Sequence, residues 1–104
     1  LPIATYYTGS HSRLADGSSY YQHSDFCAAG RHIPLGSRLV IENAENGRRI
    51  IVTVRDRGGL GRNVIDLPSR SFSRLAGPSW RRKGRIHIRY HIVSKPKKSR
   101  HRHR

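Results

Sequence analysis

A chain of 104 residues makes one domain around one modest core. Its 21 Lys and Arg against six Asp and Glu give a formal net charge of +15, which points to a polyanionic partner (nucleic acid, anionic membrane surface or acidic wall polymer) without choosing among them. The single cysteine, Cys27, excludes an internal disulfide and a cysteine-built zinc site, and no apolar run reaches the roughly 18–20 residues of a membrane span.

The chain begins at Leu1-Pro2 rather than Met, which suggests a mature start after loss of an upstream signal. Residues 3–8 are rich in β-formers and predict a first strand that stops at Gly9. Residues 10–30 mix Gly, Ser, His and aromatics and read as one long loop with room for a helical turn; loops of that length tend to carry function. The turn Pro34-Leu35-Gly36 leads into a second strand over residues 38–42, and Asn46-Gly47 marks a hairpin turn. Residues 49–55 form the third strand and 64–67 a short fourth.

Residues 69–76 predict a helix capped by Ser69, with Phe72, Leu75 and Ala76 on one face and Gly77-Pro78 ending it. Trp80 follows, placed to pack as a lid. Over residues 85–92 the alternation is unbroken: Ile86, Ile88, Tyr90 and Ile92 face one side, Arg85, His87, Arg89 and His91 the other. Beyond Ser94 the composition is Lys, Arg, His and Ser with one Pro and no apolar residue. The expected organisation is an ordered domain over residues 1–94 and a disordered basic tail over 95–104. Short strands, one short helix and no βαβ rhythm predict a mainly β fold, a small closed barrel.

Two of the six acids, Asp56 and Asp66, fall inside apolar strand-like segments, where a bare charge is costly. Asp56 ends the third strand between Arg55 and Arg57. A second carboxylate nearby would raise one of the two pKa values, as an acid catalyst needs, while the arginines would lower it. The competing role for Asp56 is an ion pair with Arg57 that braces a chain crossing. For Asp66 the competing role is backbone bracing or helix capping. Asp16 and Asp25 lie in the long loop, with an Asx turn as their default. Of Tyr6 and Tyr7, alternation sends one into the core and leaves the other to meet a sugar face; Tyr20 and Tyr21 offer further rings. Cys27 reads as a small buried apolar residue. His87, His91, His101 and His103 have metal-like spacings but no carboxylates to orient them, so neither a metal nor another cofactor is expected.

The motif order resembles the rare lipoprotein A family. Ala4-Thr5-Tyr6-Tyr7 resembles its opening strand, Leu14-Ala15-Asp16-Gly17-Ser18 its first loop, and residues 28–37 its "A-A-H-R-T-L-P-L-G-T" segment. Asn43-Ala44-Glu45-Asn46-Gly47-Arg48, Val54-Arg55-Asp56-Arg57-Gly58-Gly59 and residues 61–68 resemble "N-L-x-N-G-R", "V-N/R-D-R-G-P" and "G-R-x-I-D-L-S". The similarity covers about residues 3–93. It implies a six-stranded double-psi β-barrel, distantly similar to expansins and family-45 endoglucanases. It also implies an envelope protein, secreted or periplasmic, that acts on peptidoglycan glycan strands as a lytic transglycosylase. Ser18 stands where the family usually has Glu, Gly30 where it has His, and Gly59 where it has Pro.

On this resemblance Asp56 and Asp66 are the expected catalytic residues. Tyr6, Tyr7, Asp16, Ser18, His32, Arg55 and Arg57 are the expected substrate contacts. Lytic cleavage needs one acid/base: it protonates the glycosidic oxygen while the sugar's own C6 hydroxyl attacks, leaving a 1,6-anhydro end. Hydrolysis instead needs two carboxylates about 5–9.5 Å apart. The alternative is a barrel that binds glycan without turnover, having lost the Glu and His. Nucleic-acid binding ranks third, since no recognition motif is present. A monomer is expected, with anionic wall polymers or a membrane surface as further partners of the tail.

Overall fold

The computed structural model describes residues 1–9, 13–58 and 61–96. Its strands are β1 (Ile3–Tyr7), β2 (Phe26–Ala29), β3 (Arg38–Asn43), β4 (Arg49–Arg57), β5 (Val64–Pro68) and β6 (Ile86–Ser94). They close into a barrel in the order β1-β5-β2-β4-β3-β6. The β1–β5 and β2–β4 pairs are parallel and the others antiparallel. Two crossing parallel pairs in a six-stranded barrel are the double-psi architecture that the resemblance implied. Closure leaves no free sheet edge.

Alternation fills the barrel. Leu39 and Ile41, then Ile50, Val52 and Val54, then Ile65 and Leu67, then Ile86 and Ile88 all point inward and are buried. Helix α1 (Ser69–Ala76) buries Phe72, Leu75 and Ala76 and ends at Gly77, whose φ of 94° suits glycine. Ser69 is the first helical residue, and no side chain caps the N-terminus, where Pro68 holds the cap position; the capping role expected of Ser69 is therefore not taken. Helix α2 (Trp80–Lys83) begins at Trp80, whose ring lies 5.0 Å from that of Tyr6 and 6.4 Å from that of Phe72.

The long polar stretch is not one loop. It contains a 3₁₀ turn, Tyr20–Gln22, and the whole of β2. All four residues of β2 are buried: Cys27 and Ala29 join the barrel core, while Phe26 packs with Leu14 and Tyr20 in a second cluster. A strand covered on both faces shows no period-2 pattern, so its signal is lost among polar neighbours. The basic tail from residue 97 lies outside the described residues.

Candidate functional site

The site is built on a single row of four residues. Thr5 on β1 pairs with Asp66 on β5, Asp66 with Ala28 on β2, and Ala28 with Asp56 on β4. Paired residues share a face of the sheet, so Asp66 and Asp56 flank Ala28 on the outside of the barrel. Two strand spacings put their backbones about 10 Å apart.

Asp66 reaches that face by simple alternation, since its neighbours Ile65 and Leu67 fill the core. Asp56 does not. Counting from the inward Ile50, Val52 and Val54, position 56 should also point inward. The register shifts between Cys27 and Ala28, so that β4 advances from Val54 to Asp56 while β2 advances one residue. This bulge turns Asp56 outward. The desolvation cost that made both acids puzzling in the sequence is thereby avoided, for each is only half-buried.

Both carboxylates are held. The Thr5 hydroxyl donates to Asp66, and the Ala15 backbone N–H donates to Asp56 Oδ1 at 2.9 Å. Among the described residues, neither acid has an ion pair within 4 Å. The competing arrangement, an ion pair between Asp56 and Arg57, is absent. Arg57 Nη1 donates instead to the carbonyls of Gly30 at 2.7 Å and Ile33 at 2.6 Å, with Ala29 at 3.5 Å. Arg57 thus clamps the loop after β2.

Tyr7 lies two residues beyond Thr5 on the same face. Its ring meets Tyr20 edge-on at 5.6 Å. Its hydroxyl is buried and, among the described residues, has no hydrogen-bond partner. Burial, then the nearby carboxylates, Asp56 ahead of Asp66, push its pKa far above the ordinary phenol range. A neutral donor therefore sits in the field of both carboxylates.

The remaining candidates separate. Asp16, Ser18 and Arg55 form their own cluster beside Asp56: Ser18 N and Oγ both donate to Asp16 Oδ1, and Arg55 Nη1 meets Asp16 Oδ2 at 3.1 Å. Partial burial raises the Asp16 pKa, but the two Ser18 bonds and Arg55 outweigh it and set it below the usual carboxylate range. Asp25 pairs with Arg74 at 2.9 Å and accepts from Ser71, tying the loop to α1. Tyr6 points the other way from Asp66, onto Phe72 and Trp80.

His32 is exposed, and its ring lies against Gly30; a Cβ there would be 3.0 Å from Nδ1. The imidazole occupies space that a side chain at position 30 would need. Together with Arg31, Gly58, Gly61 and Arg62, these two residues line a cleft of about 290 Å3. Gly58 adjoins the carboxylate row, since a Cβ on it would be 3.4 Å from Asp66 Oδ2. Thr5, Gly58 and Ala28 carry no site role in the sequence reading, though all three stand in the family motifs; the Thr5-x-Tyr7 alternation was a local signal for Thr5 alone. Among the described residues no three His, Cys, Asp or Glu side chains converge as a metal site.

The lytic transglycolase family model matches residues 3–90. Uncharacterized protein ssl3177 of Synechocystis sp. is 36% identical over 76 residues, covering 73% of this chain and 77% of that one. Endolytic peptidoglycan transglycosylase RlpA of Neisseria meningitidis is 34% identical over 74 residues, 69% of this chain. The match spans 31% of that protein's length. Among solved structures, Streptomyces papain inhibitor superposes with a TM-score of 0.70 at 25% identity, covering 89% of this chain and 92% of its own. Cerato-platanin 3 from M. perniciosa gives a TM-score of 0.71 over 89% and 93% of the two chains; at 15% identity it speaks for the fold alone. By motif order, barrel topology and a match over nearly all its described residues, the chain belongs to the lytic transglycolase family, of the RlpA-like double-psi β-barrel type.

Proposed function

We propose that this barrel cleaves peptidoglycan glycan strands as a lytic transglycosylase of the cell envelope. The observation that carries the reading is the pair Asp56 and Asp66, set on either side of Ala28 on one half-exposed face and, among the described residues, without an ion-paired cation. RlpA relatives in the family support peptidoglycan glycan as the substrate class.

In this mechanism Asp56, as the carboxylic acid, gives its proton to the glycosidic oxygen as the bond from that oxygen to C1 breaks. The C6 hydroxyl of the same sugar attacks C1, and its proton returns to Asp56. One strand leaves with a 1,6-anhydro end and the other with a free hydroxyl. Asp66, held by Thr5, faces the positive charge that develops at C1. The Tyr7 hydroxyl, on the same face of β1 as Thr5, is a spare donor for a sugar oxygen.

The test is release of anhydro ends from purified glycan strands. Asp56→Asn keeps the acceptor for the Ala15 N–H, so the fold should persist while turnover is abolished. A second reading, glycan binding without cleavage, draws on Ser18, whose backbone and hydroxyl donors are both spent on Asp16, and on Gly30, which has no side chain. Pull-down of sacculi with no released product would favour it.

A further inference from the structure

We infer that the outer face of β6, β3 and β4 is a docking surface for an anionic lipid bilayer, independent of the carboxylate row. Two rows of that face carry the argument. In one, Arg89, Glu42 and Arg49 stand side by side; in the next, His91, Val40 and Ile51. Val40, Glu42, Arg49, Arg89, Tyr90 and His91 line a cleft of about 270 Å3.

Glu42 can offset only one of its two flanking arginines. Among the described residues, none of these three side chains is in an ion pair within 4 Å. Arg49 and Arg89, about 10 Å apart across β3, are therefore available to a phosphate seated over the cleft. Arginine suits this role because its planar fork matches phosphate oxygens.

Apolar side chains distinguish a bilayer from a soluble polyanion. Ile51 is 49% exposed and Val93 48% exposed. Ile51 belongs to the outward set of β4. Val93 lies where the β3–β6 register shifts between Arg38 and Leu39. A polyphosphate or nucleic acid would take up the arginines and leave both apolar residues in water. The headgroup region of a bilayer takes both kinds of group at once: basic side chains meet the lipid charge and the apolar ones enter the interface.

The test is sedimentation of the full chain with vesicles of phosphatidylglycerol in phosphatidylcholine, and with phosphatidylcholine alone. Binding is expected to the anionic vesicles only. Arg49→Ala and Arg89→Ala should each weaken it about fivefold, and the pair roughly 25-fold. Ile51→Ser should weaken it several-fold with charge unchanged, and since Ile51 lies outside the core cluster the fold should persist. These ratios should survive removal of residues 95–104. Sodium polyphosphate bound as tightly as vesicles, with no loss in Ile51→Ser, would make the face a plain charge site and overturn the inference. So would vesicle binding that disappears with the tail and ignores Arg49 and Arg89. Cleavage of soluble glycan fragments should not change in Ile51→Ser, which keeps this test separate from that of the catalytic reading.

Discussion

The hydroxyl of Thr5 donates to the carboxylate of Asp66 across the parallel β1–β5 pair. The two residues are 61 positions apart in sequence, so the bond exists only once the barrel has closed. Thr5→Val removes it while keeping shape and β-branching. A hydrogen bond to a charged group contributes about 1.5–3 kcal/mol, and half-exposure puts this one near the lower end. Denaturant unfolding should show a loss of about 1.5 kcal/mol. Glycan cleavage should fall roughly tenfold to a hundredfold because Asp66 is no longer oriented. Full activity in a folded Thr5→Val protein would remove Asp66 from the mechanism.

Tyr7→Phe should move stability and activity in opposite directions. The hydroxyl is buried without a partner among the described residues, and leaving a polar group so costs about 1–3 kcal/mol. Removing it should raise stability by about 1 kcal/mol, measured as a higher denaturation midpoint at unchanged slope. If the hydroxyl serves a sugar oxygen beside the carboxylate row, turnover should drop in the same protein. A gain in stability with no loss of turnover would make Tyr7 a packing residue only.

The residues that could be read from sequence are those that obey alternation. β6 shows this best, with Ile86 and Ile88 buried and His87, Arg89 and His91 exposed. What escaped reading broke that rule for a physical reason. β2 is covered on both faces, so Phe26 to Ala29 carry no polar punctuation. Asp56 points outward because of a bulge against Cys27 and Ala28, and a bulge leaves no mark on the apolar pattern of β4. The motif order located Asp56 and Asp66, but their shared neighbour, Ala28, emerged only from the crossing of two strands distant in sequence. The competing ion pair of Arg57 with Asp56 rested on sequence adjacency, whereas successive strand residues point to opposite faces.

Arg57→Ala should act on stability rather than on glycan. Its Nη1 serves the carbonyls of Gly30 and Ile33 at 2.7 and 2.6 Å, and both sit in the loop that carries His32. Loss of a charged donor to buried backbone costs about 2 kcal/mol or more. The melting temperature should fall accordingly. Arg57→Lys should recover part of the loss, since an ammonium also donates but lacks the reach and the fixed plane of the guanidinium. A large rise in KM with unchanged stability would instead return Arg57 to the substrate.

Asp16 links the loop to the site, and its contribution should depend on acidity. Its N–H donates to the Arg55 carbonyl at 3.0 Å while its carboxylate takes two bonds from Ser18 and one from Arg55. These partners lower its pKa in the folded protein against the opposing effect of burial. In the unfolded chain the group titrates near the ordinary value of about 3.9. The folded state therefore binds fewer protons below that value, and the stabilisation is complete above about pH 3.9 and lost as pH falls through the lowered folded value. Asp16→Asn keeps an oxygen for Ser18 but removes the charge. The wild type should be the more stable at pH 7, and the gap to Asp16→Asn should close on acidification. Guanidinium chloride would screen the Arg55 share, so urea titrations at both ends of the range are the measurement. A gap that widened as pH fell would mean that the buried part of Asp16 outweighs its partners, and that Ser18 does not hold the loop through it.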